Sequence, residues 1–312
     1  MQEIYTNNPN DFHDEIDIRE LFDVLFQGKW IIVSVTTFIS IIGVLYSLLL
    51  PNIYESKAIL VPVSPSSAIS KTLGGYGGLA GIAGITLPSS VDESNSAKAL
   101  KKISSLSFFE SDILTNIHLP DLMAVKSWNY KTNTLSFDDN IYNMKSNTWV
   151  RDYTYPQQQI PSAQESFEVF ISKHLSLSED KKSGFITLSI KHQSPFIAKK
   201  WAELVVNKVN AFYRQKNKLD SEKAVSYLNQ QISMTSLSEI KQGIAQLIQE
   251  ETKKLTLIEA NQFYVFDYID PPAVMEKKLK PNRPQIVILV SFIGIFLSIT
   301  FVIFQHIFLK KR

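Results

Sequence analysis

Two long apolar runs dominate the pattern of hydrophobic and polar positions along the chain. Residues 30–50 include no charged residue, and Pro51 follows them directly. Residues 285–309 include no Asp, Glu, Lys or Arg, and three basic residues follow them. A helix over either run would span the roughly 30 Å hydrocarbon core of a bilayer. The pattern therefore predicts two transmembrane helices, because a buried helix of a soluble core seldom has such a length without a charge.

The first run is interpreted as an uncleaved anchor. The residues before it are polar and acidic, and no small-x-small cleavage site follows it, whereas a signal peptide needs a basic start and such a site. Two spans place both ends of the chain on one side, but the basic residues near the two runs do not decide which side. The predicted parts are an N-terminal segment (1–29), a first transmembrane helix (30–50), a central domain (51–284), a second transmembrane helix (285–309) and a tail (310–312).

The N-terminal segment contains an amphipathic pattern just before the first run. Asp17 and Glu20 have the spacing of a capping box, which predicts a short helix over residues 14–28. This helix would lie at the membrane interface, pack on a neighbour or simply extend the first span. Its apolar positions are Ile18, Leu21, Phe22 and Leu25.

The central domain combines short β patterns with helical ones. Ser162 and Glu165 have the spacing of a capping box and predict a helix to residue 174. A further helix is predicted over 97–117, with a break near 104–107, while residues 120–160 give little signal. The predicted strands are 54–63, 175–178, 185–192 and 264–269; the second and third form a hairpin around the turn at 181–184, and the first and last can pair in one sheet.

A long helical hairpin is predicted over about 195–262. No Gly or Pro lies between Pro195 and Met234, and a capping box at Ser236 and Glu239 predicts a second helix after a bend. The apolar stripe of this hairpin is too narrow to be buried within one chain, so partner subunits are expected; an ordinary antiparallel pair on the domain's own core is the alternative. The candidate subunit contacts are Leu228, Ile232, Ile240, Ile244 and Leu247.

The residues that could form a catalytic or nucleotide-binding site do not have the spacing that such a site requires. The glycine-rich run 73–84 lacks the Lys-Ser/Thr pair that a phosphate-binding loop needs after its last glycine, so it is interpreted as a mobile loop. The chain has no cysteine, and its five histidines have no metal-ligand spacing. The net charge of +2 gives no reason to expect nucleic-acid binding. The sequence therefore predicts no enzyme, no cofactor and no metal site.

Two weaker patterns concern packing and sugar contact. Small residues at helical spacing, Gly43 with Ser47 and Gly294 with Ser298, would let the spans approach other helices closely. Aromatic residues that could stack on sugars are more often ordinary packing residues. These residues are Trp128, Tyr130, Trp149 and Tyr153.

The order of these segments resembles that of the Wzz-type polysaccharide co-polymerases, and the resemblance runs nearly from end to end. Its motifs are DEIDIREL (14–21), GKW (28–30), LPNIYESKAIL (50–60), the glycine-rich LGGYGGLAGIAG, GFITLSIKHQSPFIAKKWAELVVNKVN (184–210), EKAVSYLNQQI (222–232), QLIQEETKKLTLIEANQFYVFDYIDPP (246–272) and the prolines before the second span.

The resemblance implies an α+β protein of the bacterial inner membrane, with both termini cytoplasmic and the central domain periplasmic. A membrane-proximal α/β base would carry the helical hairpin as a protrusion, and the chain would assemble into a homo-oligomer. The implied role is non-catalytic: setting how many repeat units a Wzy-type polymerase adds to an undecaprenyl-linked glycan such as O-antigen. It also implies that Pro281, Pro284 and Gly294 influence chain length, although many members have paired small residues where this chain has Gly294 alone.

Three alternatives compete with a regulator of chain length. An enzyme of the same pathway would need many spans or convergent carboxylates, and neither is visible. An envelope sensor would need a signalling domain, which the sequence does not show. An inner-membrane adaptor for capsule or exopolysaccharide export shares the two-span plan and is the main alternative.

Overall fold

The computed structural model describes residues 18–63, 92–261 and 263–310. The predicted loop at 73–84 and the polar residues 1–13 lie outside this part. In chain order the elements are α1 (Ile18–Gln27), α2 (Lys29–Leu49), β1 (Tyr54–Pro62), α3 (Asp92–Ile103), α4 (Leu106–Phe108) with a π-helical turn (Phe109–Ile113) and a 3-10 turn (Leu114–Asn116), α5 (Leu119–Met123), β2 (Val125–Asn129), β3 (Thr134–Phe137), β4 (Tyr142–Asn143), β5 (Thr148–Trp149), α6 (Ala163–Val169) with a π-helical turn (Phe170–His174), β6 (Leu175–Glu179), β7 (Ile186–His192), α7 (Pro195–Met234), α8 (Ser238–Ala260), β8 (Phe266–Asp270) and α9 (Arg283–Lys310).

The chain divides into a helical unit, Met1–Pro51 with Pro281–Arg312, and a central unit, Asn52–Lys280. In the helical unit, Lys29–Leu49 and Arg283–Phe308 are long and apolar enough to cross a membrane, with mean hydropathies of 2.2 and 2.9. Only 11% and 17% of their most apolar windows are buried, whereas the core helix of a soluble protein is mostly buried. Both helices are therefore candidate membrane spans, at the positions that the sequence predicts.

Helix α1 continues into α2 with little interruption. Gly28 N–H donates to the carbonyl of Val24 at 2.9 Å, and Ile32 N–H donates to that of Gly28 at 3.0 Å, so helical hydrogen bonding passes through the junction. This geometry favours the extension of the first span among the three interpretations of the amphipathic segment. The side chains of Phe22 and Phe26 are 68% and 71% exposed.

An antiparallel sheet of order β6-β7-β1-β8 forms the base of the central unit. The pairing of β1 with β8 and the β6–β7 hairpin are both as the sequence predicts. The hairpin turn includes Gly184 at φ +70°, a conformation that glycine adopts without a steric penalty. Asp180 N–H donates to the carbonyl of Phe185 at 2.9 Å and closes the turn.

The hydrophobic core lies between this sheet and the first half of α7. Alternate residues of the central strands point into it, because side chains of a strand alternate between faces. The predicted stripe on α7 is largely confirmed: Trp201, Val205 and Val209 are buried, and Phe212 is half-buried. The strand residues that pack against them include Ala58, Leu60, Ile186, Leu188 and Ile190.

Of the three predicted capping boxes, the one at Asp17 and Glu20 lies partly outside the described residues, and the other two have different outcomes. Ser162 caps α6 by accepting a hydrogen bond from Glu165 N–H at 3.2 Å, but the Glu165 carboxylate binds Arg151 instead of returning to the cap. The box at Ser236 and Glu239 is wrong: α8 begins at Ser238, and its cap, Leu237, makes no side-chain bond.

Two small β ribbons occupy the region that gives little sequence signal. Strands β2–β3 and β4–β5 turn on the related sequences NYKTNT (129–134) and NMKSNT (143–148). In each, the first Asn accepts a hydrogen bond from the Lys two residues later, and the second Asn has φ near +50°. Asn tolerates this left-handed conformation better than most residues, so the repeat is a turn signal that the sequence analysis missed.

Candidate functional site

Small residues form the contact between α2 and α9 within the helical unit. A Cβ added at Gly43 would lie 2.8 Å from Cγ1 of Val290, and one at Gly294 would lie 3.3 Å from Ile39. Ser47 and Ser298, the other members of the two predicted pairs, are 1% and 0% exposed. Packing through small residues lets the backbones approach closely, which favours helix association in lipid.

Hydroxyl groups add polar bonds to this contact. Ser40 Oγ lies 2.8 Å from Ser291 Oγ, and Arg283 Nε donates to the carbonyl of Ser47 at 3.2 Å near the end of α2. Carbonyls in the last turn of a helix have no intrahelical donor, so Arg283 satisfies one of them. Gly294, predicted to influence chain length, thus faces Ile39 of its own chain.

The two predicted prolines precede and open α9. Pro281 is half-buried, whereas Pro284 is exposed in the first turn of the helix, where the missing N–H costs no hydrogen bond. In the central unit, Ile53 N–H donates to the carbonyl of Lys280 at 2.9 Å, so the first and last segments of this unit are paired.

The far half of the hairpin is incompletely covered. No side chain of α7 after Ser221 is buried, and Ile258 is the single buried residue of α8. Of the predicted subunit contacts, Ile240 and Leu247 are about half exposed, at 49% and 50%. The other three, Leu228, Ile232 and Ile244, are half-buried.

A cleft of about 600 Å³ opens in the central unit between several separate segments of the chain. Such a volume is typical of ligand sites. No short sequence motif could have revealed it, because its residues are distant along the chain. Its lining is Ile53, Asp121, Leu122, Met123, Val125, Asn140, Ile141, Arg151, Asp152, Pro161, Glu165, Val169, Lys173, His174, Lys191, His192 and Gln193.

Two neighbouring histidines form part of the cleft wall. The rings of His174 and His192 lie 5.6 Å apart, and the Trp201 ring contacts both at 5.4 and 5.0 Å. His192 Nδ1 accepts from Ser194 N–H at 2.9 Å, so its Nε2–H donates to the carbonyl of Asp121 at 2.9 Å. His174 Nδ1 lies 2.7 Å from the carbonyl of Lys191.

Burial keeps these two histidines neutral. Loss of hydration disfavours the charged imidazolium and lowers the pKa of His174 and of His192 to about 4. Backbone carbonyls at Lys191 and Asp121 oppose the shifts but do not cancel them. In the sequence the two histidines have no metal-ligand spacing; the fold brings this pair together because β7 ends beside the turn that precedes β6.

A bidentate ion pair fixes another wall of the cleft. Both Nη atoms of Arg151 contact the Glu165 carboxylate, which raises the pKa of the guanidinium. Arg151 also donates to the carbonyls of Gln158, at 2.6 Å, and Gln159, at 3.0 Å. One side chain thus fastens the loop after β5 to helix α6.

The aromatic residues considered for sugar contact lie elsewhere. Trp128 packs edge-on against Tyr54 at 5.4 Å, and Trp149 packs against Tyr142 at 5.2 Å. Tyr130 and Tyr153 are 72% and 55% exposed. None of the four residues lines the cleft. Among the described residues, no group of three or more His, Asp or Glu could hold a metal ion.

One comparison with known proteins, the match to a family model, agrees with the sequence resemblance. Residues 14–107 match the family model described as "Wzz: Chain length determinant protein", which confirms the resemblance for the part that includes α1, α2 and β1. A solved "full-length bacterial polysaccharide co-polymerase" aligns at 13% identity, over 94% of this chain and 99% of its own, with a TM-score of 0.46. A "Fragment of WzzB, Polysaccharide Co-polymerase from Salmonella Typhimurium" aligns at 13% identity, over 73% of this chain and all of its own, with a TM-score of 0.33. No curated protein sequence matches significantly.

Proposed function

We propose that this chain is a non-catalytic regulator of polysaccharide chain length. As an oligomeric scaffold of the bacterial inner membrane, it would set the number of repeat units that a Wzy-type polymerase adds to lipid-linked O-antigen or a related glycan. The observation that carries this proposal is the match of residues 14–107 to the Wzz chain length determinants. Two candidate spans on either side of an α+β central unit with a long hairpin support it.

The proposal includes a topology in which the central unit is periplasmic and both termini are cytoplasmic. The chain has no cysteine, so single cysteines report on exposure without background. Lys181→Cys, in the β6–β7 turn, should react with a membrane-impermeant maleimide in cells with a permeabilised outer membrane. Gln27→Cys should react only after the inner membrane is opened. The reverse pattern would contradict this topology.

Deletion of the gene tests the function directly. We expect the surface polysaccharide to change from a clustered to a random length distribution on a gel, and the wild-type gene to restore the cluster. Loss of surface polymer together with accumulation of precursors inside the cell would instead identify an export adaptor. An unchanged distribution would contradict both functions.

The predicted chain-length residues can be tested in the same strain. The double variant Pro281→Ala, Pro284→Ala should be produced in the same amount as the wild-type protein. It should nevertheless shift or broaden the length distribution of the surface polysaccharide. Gly294→Leu needs a control, because this glycine packs on Ile39 of its own chain. Gly43→Leu crowds the same helix contact from the other side. Equal effects of the two glycine variants would show that Gly294 acts through helix packing, and a larger effect of Gly294→Leu would indicate contact with the polymerase.

A further inference from the structure

The walls of the central cleft are fixed without any ligand. Arg151 binds Glu165 and two backbone carbonyls of the loop at the same time, and Pro161 at the end of this loop is buried. His192 has both ring nitrogens bonded, to Ser194 and to Asp121. A preformed wall lowers the conformational entropy that the protein itself must lose on binding, which favours binding of a ligand that makes only a few contacts.

Several polar groups in the cleft lack partners. Asp152, Lys173 and Asn140 are exposed residues that line it, and their side chains make no ion pair or hydrogen bond to any residue that the structure describes, so they are free to bind a ligand. Gln193 donates from Nε2 to the carbonyl of Val125 at 3.1 Å, but its buried Oε1 has no bonding partner. A buried acceptor without a donor is costly, so a ligand hydroxyl that reaches Gln193 would be favoured.

The charges of the cleft are balanced. The acidic side chains of Asp121, Asp152 and Glu165 are matched by three basic ones, and both lining histidines are neutral above pH 5 or so because of their lowered pKa values. A polyanion such as nucleic acid requires an excess of cations. The balance favours an uncharged ligand with many hydroxyl groups. The basic members are Arg151, Lys173 and Lys191.

Apolar side chains lie beside these polar groups. Leu122, Met123, Ile141 and Val169 share the lining with the charged residues. A pyranose ring has hydroxyls around its edge and C–H groups on its faces. It can therefore bind a surface on which apolar side chains lie beside polar ones. Ligand sites in general combine an apolar lining with a few placed polar groups.

We propose that this cleft binds a short stretch of saccharide, with Asp152, Lys173, Asn140 and Gln193 as its hydroxyl partners. This proposal rests on the proposed function, because the saccharide would be part of the glycan whose length is regulated. Contact at the cleft would hold the growing chain to the central unit by hydrogen bonds rather than by aromatic stacking.

Binding to the purified full-length protein in detergent tests the proposal. The probe is an oligosaccharide mixture released by mild acid from the surface polysaccharide of the producing strain. Saturation-transfer NMR should show transfer to the sugar protons, and calorimetry should show binding at concentrations near 1 mM or below. Absence of both signals at about 10 mM would overturn the saccharide site.

Variants locate the binding. Asp152→Asn with Lys173→Met should weaken binding about tenfold or more, since one charged acceptor becomes neutral and one charged donor is removed. The control, Glu168→Gln with Lys181→Met, makes the same charge changes on exposed residues outside the cleft and should stay within about twofold. Equal affinities of the two variants would overturn the site. If the cleft variant does not fold, Asn140→Ala provides the same comparison. The Asn140 side chain has no described partner, so its removal should leave the fold intact.

The two proposals fail in different ways. Random chain lengths on deletion without any binding to the purified protein would overturn the saccharide site and leave the regulator function standing. Binding that depends on Asp152 and Lys173, with normal chain lengths on deletion, would support the saccharide site and overturn the regulator function.

Discussion

Asn210 in α7 binds both backbone polar groups of Phe266, the first residue of β8. Its Oδ1 accepts from Phe266 N–H at 3.0 Å, and its Nδ2 donates to the carbonyl of Phe266 at 2.9 Å. The same Oδ1 also accepts from the N–H groups of Val265, at 2.7 Å, and Tyr264, at 3.2 Å. One buried amide therefore attaches the long helix to the start of the edge strand.

Asn210→Ala should destabilise the protein by about 3 kcal/mol, because it leaves several backbone groups without partners in a buried place. Thermal unfolding of the detergent-solubilised protein measures this change. Asn207→Ala, on the exposed side of the same helix, is the control and should have little effect. Equal melting temperatures for the two variants would contradict the role of Asn210.

The sequence prediction of the last strand is inaccurate at the end where this contact lies. The β pattern predicts residues 264–269, whereas the strand runs from Phe266 to Asp270, and the two residues before it, Tyr264 and Val265, donate their N–H groups to Asn210. Periodicity detects the strand and its partner β1. Periodicity cannot detect that a side chain of a helix, distant in the sequence, accepts the hydrogen bonds of the N–H groups at the start of the strand.

Acid should destabilise the central unit through His174 and His192. Their folded pKa values, about 4, lie below the ordinary value of 6.5, so the unfolded chain binds more protons between these limits. Stability is complete above pH 6.5 and is lost as the pH falls towards 4, by up to about 3 kcal/mol for each ring.

Melting temperatures between pH 7.5 and pH 4.5 measure this dependence. His174→Gln should flatten the curve, because a neutral side chain then occupies the buried place. Asn207→Ala replaces an exposed, uncharged residue and is the control that should leave the shape of the curve unchanged. A wild-type curve that is flat across this range would contradict the prediction.

Loss of the Glu165 carboxylate should free the loop that Arg151 holds. Glu165→Gln removes the charged partner of a guanidinium whose side chain is 13% exposed, so Arg151 should leave its position and pull away from the carbonyls of Gln158 and Gln159. Trypsin should then cut after Arg151 much faster than in the wild type. Glu168→Gln, on the same helix, should not accelerate the cut.

The contact between α2 and α9 can be measured by cross-linking. Ser40→Cys with Ser291→Cys should form a disulfide readily under mild oxidation, because the two hydroxyl oxygens lie 2.8 Å apart. Gly43→Leu should reduce the yield, since its side chain would collide with Val290. Ser40→Cys with Ile288→Cys, an exposed position on α9, should remain uncrosslinked. Efficient cross-linking of this second pair would contradict the helix pairing.

The exposed apolar residues of the hairpin should matter for assembly more than for folding. Ile240→Asn with Leu247→Asn should lower the oligomer size in native mass spectrometry while the melting temperature of the protomer stays within a few degrees. These two side chains are about half exposed, so the single chain loses little packing. Lys241→Asn with Gln249→Asn is the control on polar positions of α8. An unchanged oligomer in the first variant would remove these residues from the interface.

The sequence predicts an element well where a pattern extends over many residues. The spans, the long helix and the β6–β7 hairpin all have periodic patterns or strong turn residues. The cleft has no such signal, because Arg151 and Glu165, like His174 and His192, come together only through the fold. The ribbons at β2–β5 were missed because their strands are short, although the repeated Asn-x-Lys-Thr/Ser-Asn-Thr marks both turns.

The order of strands in the main sheet has a consequence for folding during synthesis. Strand β1 pairs with β7 on one side and β8 on the other, and Pro62 has its partner at Phe266. Strand β1 can therefore pair on one side only after β7 has left the ribosome, and on both sides only after nearly the whole central unit has been made. Such non-local pairing slows folding and leaves an apolar edge exposed in the meantime. Chains that terminate before β8 should therefore be prone to aggregation, even though most of the domain's residues are already present.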